Sequence, residues 1–583
     1  MARTRRRPSP RSEPVVKMAM GIAVLRGNVR AAADLSNTLR STLGPFGMEK
    51  MIVSKGSGRA VVTDDGQLIL GAANIRHAAA KMVAGLGDAQ ARECGDGVAT
   101  CVLLAGELLR RAEDLVLQGV SAFAVAEGYR IASDRVDQWI RQKGKPLGFG
   151  HRDLKGVVRT ALVGKVPSMW EASFTDAILA AARQVARQDG RAWSFSPGNV
   201  LLDVQPDVSL EPIQILSGVL VRAGRVHPAM PARVQGARVL LLQGLLDVPR
   251  PRIKVELVLS SPAQLRAVQD HRAAQLEALV EELHALGANV IVCDGWAPEE
   301  LGSPLGDRGI LLLQNVNRKV LQRLAKATGG RVMSQYVAAK PGDLGRAELV
   351  EECRVGRGKG TRFAECQESK VVTLLLGRHL PSSLPVLDRA VHNALWALKA
   401  ALETGAVPGG GATEASLARR LRRYAPGVEG RQQLAVFAFA DALEAVPTAL
   451  TEGIGADALD VLVRIRAAQA AGQGDGDQGL DVVRRRVAST RRAGVLDART
   501  VKAALIRRAT QTAIQILRVD GAIPTKRRVS EMKDRSVHSP YPQWMRTEED
   551  VLAMAEHEVK MPKFRDMRSR IPQVKLDDLT SKQ

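Results

Sequence analysis

Helical periodicity occupies both ends of this chain and breaks off in the middle. Residues 18–43 place Ile22, Leu25, Val29, Ala33, Leu39 and Leu43 at helical spacing, and long helical patterns follow at 98–118 and 121–142. Between them "KMIVSKGSGRAVVTDDGQLIL" (50–70) reads as a hairpin, with Met51–Val53 and Ala60–Val62 flanking the turn-forming "KGSG". From about residue 150 short β-rich runs ("VLLLQGL", "ANVIVCDGW", "GILLLQNV", "KVVTLLLG") alternate with helices at 263–286 and 317–328. From about 386 long helices return, at 388–404, 412–424, 431–450, 457–471 and 498–518. With 583 residues the chain exceeds one ordinary core. The pattern predicts a helical domain built from both chain ends and split by an inserted α/β unit.

Composition narrows the class. Aromatic residues make up only 3%, so the core is expected to be aliphatic and largely helical. A net charge of +23 suggests acidic partners, but the basic residues are spread along the chain, as on a solvated arginine-rich surface. The five cysteines form no CxxC pair and no metal spacing with histidine; they read as small buried apolar residues in a reducing compartment. No apolar run reads as long enough to cross a bilayer, and a cytoplasmic location is expected. The start, "MARTRRRPSPRSEPVVK" (1–17), reads as a basic disordered tail, with an organelle transit peptide as the lesser reading. Residues 524–583 mix both charges with proline and read as a flexible extension.

Chemistry gathers at four glycine-plus-acid turns: "STLGPFG", "VTDDGQLIL", "ECGDGVATCVLLAGELL" and "PGGGATE". Gly95-Asp96-Gly97 sits directly before a strongly apolar helix. An aspartate there is placed to hold Mg²⁺ on phosphate oxygens while first-turn amides face the same phosphates. By itself the tripeptide reads equally as an N-cap aspartate between loop glycines. Gly409, Gly410 and Gly411 likewise present bare amides before a helix, with Asn393 beside them in sequence. There is no Walker A pattern; "GRGKGTR" (356–362) lacks its spacing.

Those turns, in that order, resemble the group II chaperonins, the thermosome and TRiC-type ring ATPases. The family's "LGPKG" matches Leu43–Gly47, its "TNDGATIL" matches Thr63–Leu70, its "GDGTT…LAGELL" matches Gly95–Leu109, and its "PGGGAxE" matches Pro408–Glu414. "SGVLVRAGRVHPAMPARV" (217–234) and "EAVPTALTEGIGADALDVLVRIRA" (444–467) are similar to two further family segments, and the resemblance runs from about 18 to 523. "GRQQLAVFAFADALEAVP" and "KMIVS" lean toward the zeta subunit of the eukaryotic cytosolic chaperonin.

The resemblance implies a multi-domain α and α/β fold. A helical equatorial domain would come from 18–146 and 406–523, and a small intermediate domain from 147–212 and 371–405. An α/β apical domain would span 213–370, with a helical protrusion near 245–285. It implies ATP and Mg²⁺ as ligands, other chaperonin subunits in a double ring as partners, and unfolded client proteins as substrates. Gly44 and Pro45 would line the phosphates together with Gly95 and Gly97, Asp96 would hold Mg²⁺, and Thr100 would touch phosphate. Asp65 and Gly66 would lie close to the γ-phosphate, Gly410 and Gly411 at the ribose, and Asp497 at the nucleoside. Val320, Leu321 and Leu324 would face clients, although each also fits an ordinary core.

The catalytic positions depart from the pattern. The family's "HDAL" aspartate, which activates the attacking water, is Asn393, and a second family aspartate is Ser54. An amide positions a water but cannot accept its proton, an expected loss on the order of 10²–10⁴-fold, about 3–5 kcal/mol of barrier. Phosphoryl transfer rests mainly on positioning and metal charge, so some turnover can survive. Val98 and Ala99 replace hydroxyls, Phe46 replaces a lysine, and Gly453 replaces an asparagine. These features predict a subunit that binds nucleotide and hydrolyses it poorly. The competing readings are a non-hydrolysing scaffold and, lowest, an arginine-rich nucleic-acid-binding protein, for which aromatic platforms are scarce.

Overall fold

The two helical ends find each other. The computed structural model describes residues 21–53, 60–190, 192–204, 212–248, 262–355, 358–366, 371–377, 384–472 and 476–521. Ser54, both chain ends and part of the expected protrusion (249–261) lie outside them.

The chain opens with α1 (Ile22–Arg40), the hairpin β1 (Lys50–Val53) and β2 (Ala60–Thr63), α2 (Gly66–Ala72), α3 (Ala78–Cys94), α4 (Val98–Leu117) and α5 (Ala122–Gln142). Next come α6 (Arg152–Leu162), α7 (Glu171–Val185), β3 (Arg187–Asp189), β4 (Ala192–Ser194), β5 (Val200–Val204) and β6 (Ile213–Ser217). The middle of the chain supplies β7 (Val219–Val221), β8 (Arg233–Leu242), α8 (Pro262–Ala285), β9 (Val290–Cys293), α9 (Gly302–Asp307) and β10 (Leu311–Leu313). It continues with α10 (Arg318–Thr328), β11 (Val332–Met333), β12 (Gly345–Val355), β13 (Gly358–Cys366) and β14 (Val372–Leu376). The return contains α11 (Leu384–Thr404), β15 (Ala406–Pro408), α12 (Ala412–Tyr424), α13 (Gln432–Leu443), α14 (Ala445–Gly453) and α15 (Ala458–Ala470). It closes with β16 (Gln478–Asp481), β17 (Arg486–Ser489), α16 (Thr490–Ala493), β18 (Leu496–Ala498) and α17 (Arg499–Leu517).

One aliphatic core joins α1, α3, α4 and α5 to α11, α12, α13 and α17, with Leu104, Leu108, Val391, Leu398, Phe439 and Ile516 among its buried residues. Helices α1 and α3 pack on α4, and α13 and α17 from the other chain end complete the cover of α4 and α5, with α11 packed on α17. The middle forms a mixed sheet in the order β10-β9-β8-β12-β13-β7, with β11 also on β8. Strands β8, β9 and β10 run parallel; β9, β10 and the second half of β8 are buried, as a parallel sheet covered by helices should be. That sheet has its own core with α8 and α10. Between the two lies a three-stranded sheet, β5-β14-β6.

Three expectations change. The helix expected over 431–450 is two helices, α13 and α14, broken at Glu444. Pro447 lies three residues later and cannot donate a hydrogen bond back to the Leu443 carbonyl. The break serves a purpose: the buried Glu444 carboxylate accepts from Arg422 (2.5 and 2.8 Å) and from Arg466 (2.9 Å to Oε1), joining α12 to α15. Burial works against that charge, but the two guanidiniums outweigh it and hold the carboxyl below its usual range.

Second, the stretch Gln432–Gly453 is long and apolar enough to cross a membrane by length and composition. It lies mostly buried inside the helical core instead. Third, the Asp-Gly at the strand end opens a helix, α2, which Asp65 caps by accepting from Leu68 N–H at 2.8 Å.

Candidate functional site

Gly95-Asp96-Gly97 forms the tight link between α3 and α4, with Gly95 at φ +66° and Gly97 at φ +81°. Both angles are in the left-handed region, so glycine is required for backbone reasons. Gly97, and not Asp96, is the N-cap of α4, and no side chain caps it. The amides of Val98, Ala99 and Thr100 therefore open the 20-residue helix α4 without helical acceptors. Asp96 is left over for other work. Its carbonyl accepts from Gln90 Nε2 (2.9 Å), and Gln90 Oε1 in turn accepts from Arg508 at 2.8 Å, so the turn is held from behind.

The other turns close on this one. A Cβ on Gly66 would lie 3.2 Å from Val98 Cγ1, which brings Asp65-Gly66 against the start of α4. A Cβ on Gly164 would lie 2.4 Å from the Pro45 carbonyl oxygen, so the segment carrying Lys165 packs on the Gly44-Pro45 turn. Lys165 and Lys502 both act electrostatically on Asp96, and so does Asp497. Burial pushes the Asp96 carboxyl above the usual range and Asp497 adds to it, while Lys165, the Gly97 N–H and Lys502 pull the other way.

The second glycine cluster is built around Asp497. Strand β18 pairs antiparallel with β15, setting Val407 opposite Asp497 just before Gly409. A Cβ on Gly409 would lie 3.0 Å from Asp497 Oδ2, so only glycine admits that carboxylate so closely. The Gly410 carbonyl accepts from Leu480 N–H at 2.9 Å, tying the turn to β16. Lys502, almost fully buried, donates to Glu414 Oε1 at 2.5 Å and lies 3.0 Å from Asp497 Oδ2. Burial would lower this lysine, but Asp497 and Glu414 outweigh it and raise it. Lys165 and Lys502 were given no role from the sequence, and Glu414, the acid of "PGGGATE", was not read as the buried partner of Lys502.

Asn393 projects from α11 onto the same Asp96 turn. With its amide nitrogen turned inward it donates to the Gly95 carbonyl at 2.8 Å and to the Arg389 carbonyl at 3.2 Å. One helical turn on, Trp396 lies against Gly95, where a Cβ would be 2.3 Å from its Cγ. Trp396 Nε1 donates to His392 Nε2 at 2.9 Å, and burial holds that imidazole below its usual pKa. Gly44, Pro45, Asp65, Gly66, Gly95, Asp96, Gly97, Thr100, Asn393, Gly410, Gly411 and Asp497 thus line one connected region.

The client-facing expectation fares differently. Leu321 and Leu324 are fully buried in the core under the mixed sheet, and Val320 is half-buried against it. The apolar face of α10 turns inward because that face is what the sheet covers; its outward face is polar.

The donor set fits a magnesium nucleotide. Among the described residues no group of three or more His, Cys, Asp or Glu is arranged to hold a metal by itself. A cation at Asp96 would need phosphate oxygens and water for its remaining ligands, which is how Mg²⁺ is usually held. The free amides of α4 and the positive-φ glycines suit the phosphates.

Residues 35–527 match the TCP-1/cpn60 chaperonin family. A thermosome subunit of Methanopyrus kandleri is 36% identical over 503 residues, covering 86% of this chain and 92% of that protein. The thermosome subunit alpha of Archaeoglobus fulgidus is 34% identical over 503 residues, again covering 86% and 92%. A solved open-state monomer of a group II chaperonin from Methanococcoides burtonii matches with a TM-score of 0.59 at 29% identity, covering 73% of this chain and 100% of that one.

Proposed function

The chain belongs to the TCP-1/cpn60 chaperonin family as a group II chaperonin subunit, and from that premise we propose that it is an ATP-binding member of a chaperonin ring that assists unfolded clients with weakened hydrolysis. The observation that carries this reading is the meeting of Asp96 and Asn393 on one turn. Asp96 retains the carboxylate a magnesium nucleotide needs. Asn393 offers that turn an N–H where the family offers a base.

The geometry supports a role for each residue. The amides of Val98, Ala99 and Thr100 and the Gly44-Pro45 turn would orient the phosphates, and Lys165 would add a positive charge beside them. Asp497, held by Lys502, would meet the nucleoside at Gly409–Gly411. Asp65 has one oxygen committed to Leu68 N–H, leaving the other free to face the γ-phosphate end. Bound Mg²⁺ supplies charge neutralisation on the phosphates. A water near Asn393 can be positioned by the amide but not deprotonated by it. Partnership in a ring is supported by the β1–β2 hairpin, an isolated two-stranded element exposing Met51, Val53 and Val62. Such an edge is stable when another chain covers it. The lean toward the zeta subunit rests only on the segments quoted for it.

The test is steady-state phosphate release with Mg-ATP from the parent and from Asn393→Asp, beside Mg-ATP thermal shifts of the parent and Asp96→Asn. We expect an inert or slow parent, gained turnover in Asn393→Asp, and a thermal shift that Asp96→Asn abolishes. Equal turnover in parent and Asn393→Asp would show that the water is activated some other way. A parent with no thermal shift would rule out the nucleotide site. A non-hydrolysing scaffold shares the Asn393 observation, and particle size separates the two: a ring member enters a large assembly with other subunits.

A further inference from the structure

One buried amide beside the proposed nucleotide site has nothing to bond. Gln67 follows the Asp65-Gly66 pair in the first turn of α2 and is the one polar side chain in that helix, "GQLILGA". It is only 6% exposed, and among the described residues its Nε2 has no hydrogen-bond partner. A buried amide donor without an acceptor is costly, because water satisfied it in the unfolded chain. Native structures seldom keep one without a reason, and an acceptor that arrives with a ligand is such a reason.

The neighbours of Gln67 place it across the Asp96 turn from Asp497. The Gly97 side of that turn faces α17, where a Cβ would lie 3.2 Å from Val501 Cγ1 and 3.3 Å from Leu505 Cδ2. Asp497 directly precedes α17 and Lys502 lies in it, so both stand on that side. The Val98 side faces α2. A Cβ on Gly66 would lie 3.2 Å from Val98 Cγ1 and 3.4 Å from the Ala99 amide nitrogen. A nucleotide with its nucleoside at Asp497 and its metal at Asp96 therefore carries its last phosphate toward α2.

Gln67 is one residue from that contact, and consecutive Cα atoms are about 3.8 Å apart. Leu70, three residues on, is buried with it and packs between α3 and α4. A Cβ on Gly87 would be 2.4 Å from Leu70 Cδ1 and 3.3 Å from Val98 Cγ1. The start of α4 is short of side-chain donors here, since neither Val98 nor Ala99 carries a hydroxyl. The amide on the adjoining helix can supply one.

We propose that Gln67 is a specificity residue for a nucleoside triphosphate: its Nε2–H donates to an oxygen of the terminal phosphate, which a diphosphate lacks. Nε2 is covered in the structure, so the Gln67 side chain turns toward the Ala99 amide to reach that oxygen. The bond replaces an orphaned donor with a satisfied one, and only the third phosphate makes it. The inference rests on the nucleotide-binding reading and deepens it.

The experiment measures the affinity of the full chain for Mg-ADP and for a non-hydrolysable Mg-ATP analogue, in the parent, Gln67→Leu and Gln67→Glu. Leucine keeps a similar volume and removes the orphaned donor, so thermal stability without nucleotide should be retained or raised. Affinity of Gln67→Leu for the triphosphate should fall by about tenfold, while Mg-ADP affinity stays within about twofold. Gln67→Glu should lose more triphosphate affinity than Gln67→Leu, because its carboxylate repels the phosphate oxygens, and should again spare Mg-ADP. Should leucine crowd the site and lower stability, Gln67→Ala carries the same comparison with the donor equally removed. Affinities for both nucleotides that fall together, or a triphosphate affinity that does not change, overturn the inference and leave the nucleotide reading standing. A parent that binds neither nucleotide sinks both.

Discussion

In the proposed nucleotide site, Asp497 acts on Asp96, Lys502 meets both Glu414 and Asp497, and Lys165 acts on Asp96 from another segment of the chain. Along α10 the apolar residues Leu321 and Leu324 are covered by the mixed sheet, Arg318 and Arg323 stand exposed on the outward face, and Asp388 acts on Arg323 from another segment. In the first region Lys502 answers Glu414 and Asp497 before any ligand arrives, while Asp96 and the first α4 amides keep open positions. The exposed cations of α10 shape no such site. Charge balanced internally reads as preorganisation for a ligand of fixed shape, such as a nucleotide.

The largest expected effect attacks the cleft's self-sufficiency. Lys502→Met removes the one cation that reaches both Glu414 and Asp497, and Glu414 is fully buried, with its second oxygen already unbonded. Breaking a buried pair from one side costs about 3–5 kcal/mol. Chemical unfolding should show a loss of that order, with much of it recovered in Lys502→Met/Glu414→Leu, which leaves no orphaned charge. Nucleotide affinity should stay impaired in the double variant, because Asp497 still lacks its partner. Full recovery of nucleotide binding would mean that Lys502 serves packing and not the site.

The next effect sharpens the comparison on the α10 side. Leu324→Ala should destabilise by about 2–5 kcal/mol, as a truncated core residue does. Gln322→Ala, on the outward face, should stay within about 0.5 kcal/mol. Binding of a chemically unfolded polypeptide, the client class of the proposed function, should survive in Leu324→Ala under conditions where the protein remains folded. Loss of binding from the folded variant would restore Leu324 to the client surface.

These contrasts also explain what the sequence could disclose. Three of the four turns were legible because glycine answers a backbone demand that no other residue meets cheaply: Gly44, Gly95, Gly97, Gly410 and Gly411 all take positive φ, whereas Gly66 is helical and follows the Asp65 cap. The split of the helical domain was legible because periodicity is local. Lys165 and Lys502 were not, since a lone lysine carries no spacing and its partners come from distant segments. The inward face of α10 was ambiguous for the same reason, because an amphipathic helix announces that it has an apolar side but not what covers it. Pro447 did signal the break at Glu444, but the apolar run around it masked the signal.

The smallest expected effect separates pH from salt. Burial raises the Asp96 carboxyl in the folded protein, so the folded state holds a proton that the unfolded state has already released. Stability contributed by this group is therefore present at low pH and lost as pH rises through the window between the ordinary carboxylate value and the raised one. At neutral pH the ionised Asp96 costs the ligand-free protein stability. Asp96→Asn should then unfold at higher denaturant than the parent at neutral pH, with the gap closing as the medium is acidified. Adding Mg-ATP should reverse the order, since only the parent has the charge that the metal requires. A variant less stable than the parent at neutral pH would mean that Lys165 and Lys502 already stabilise the carboxylate more than burial penalises it, and the cleft would be balanced by them alone.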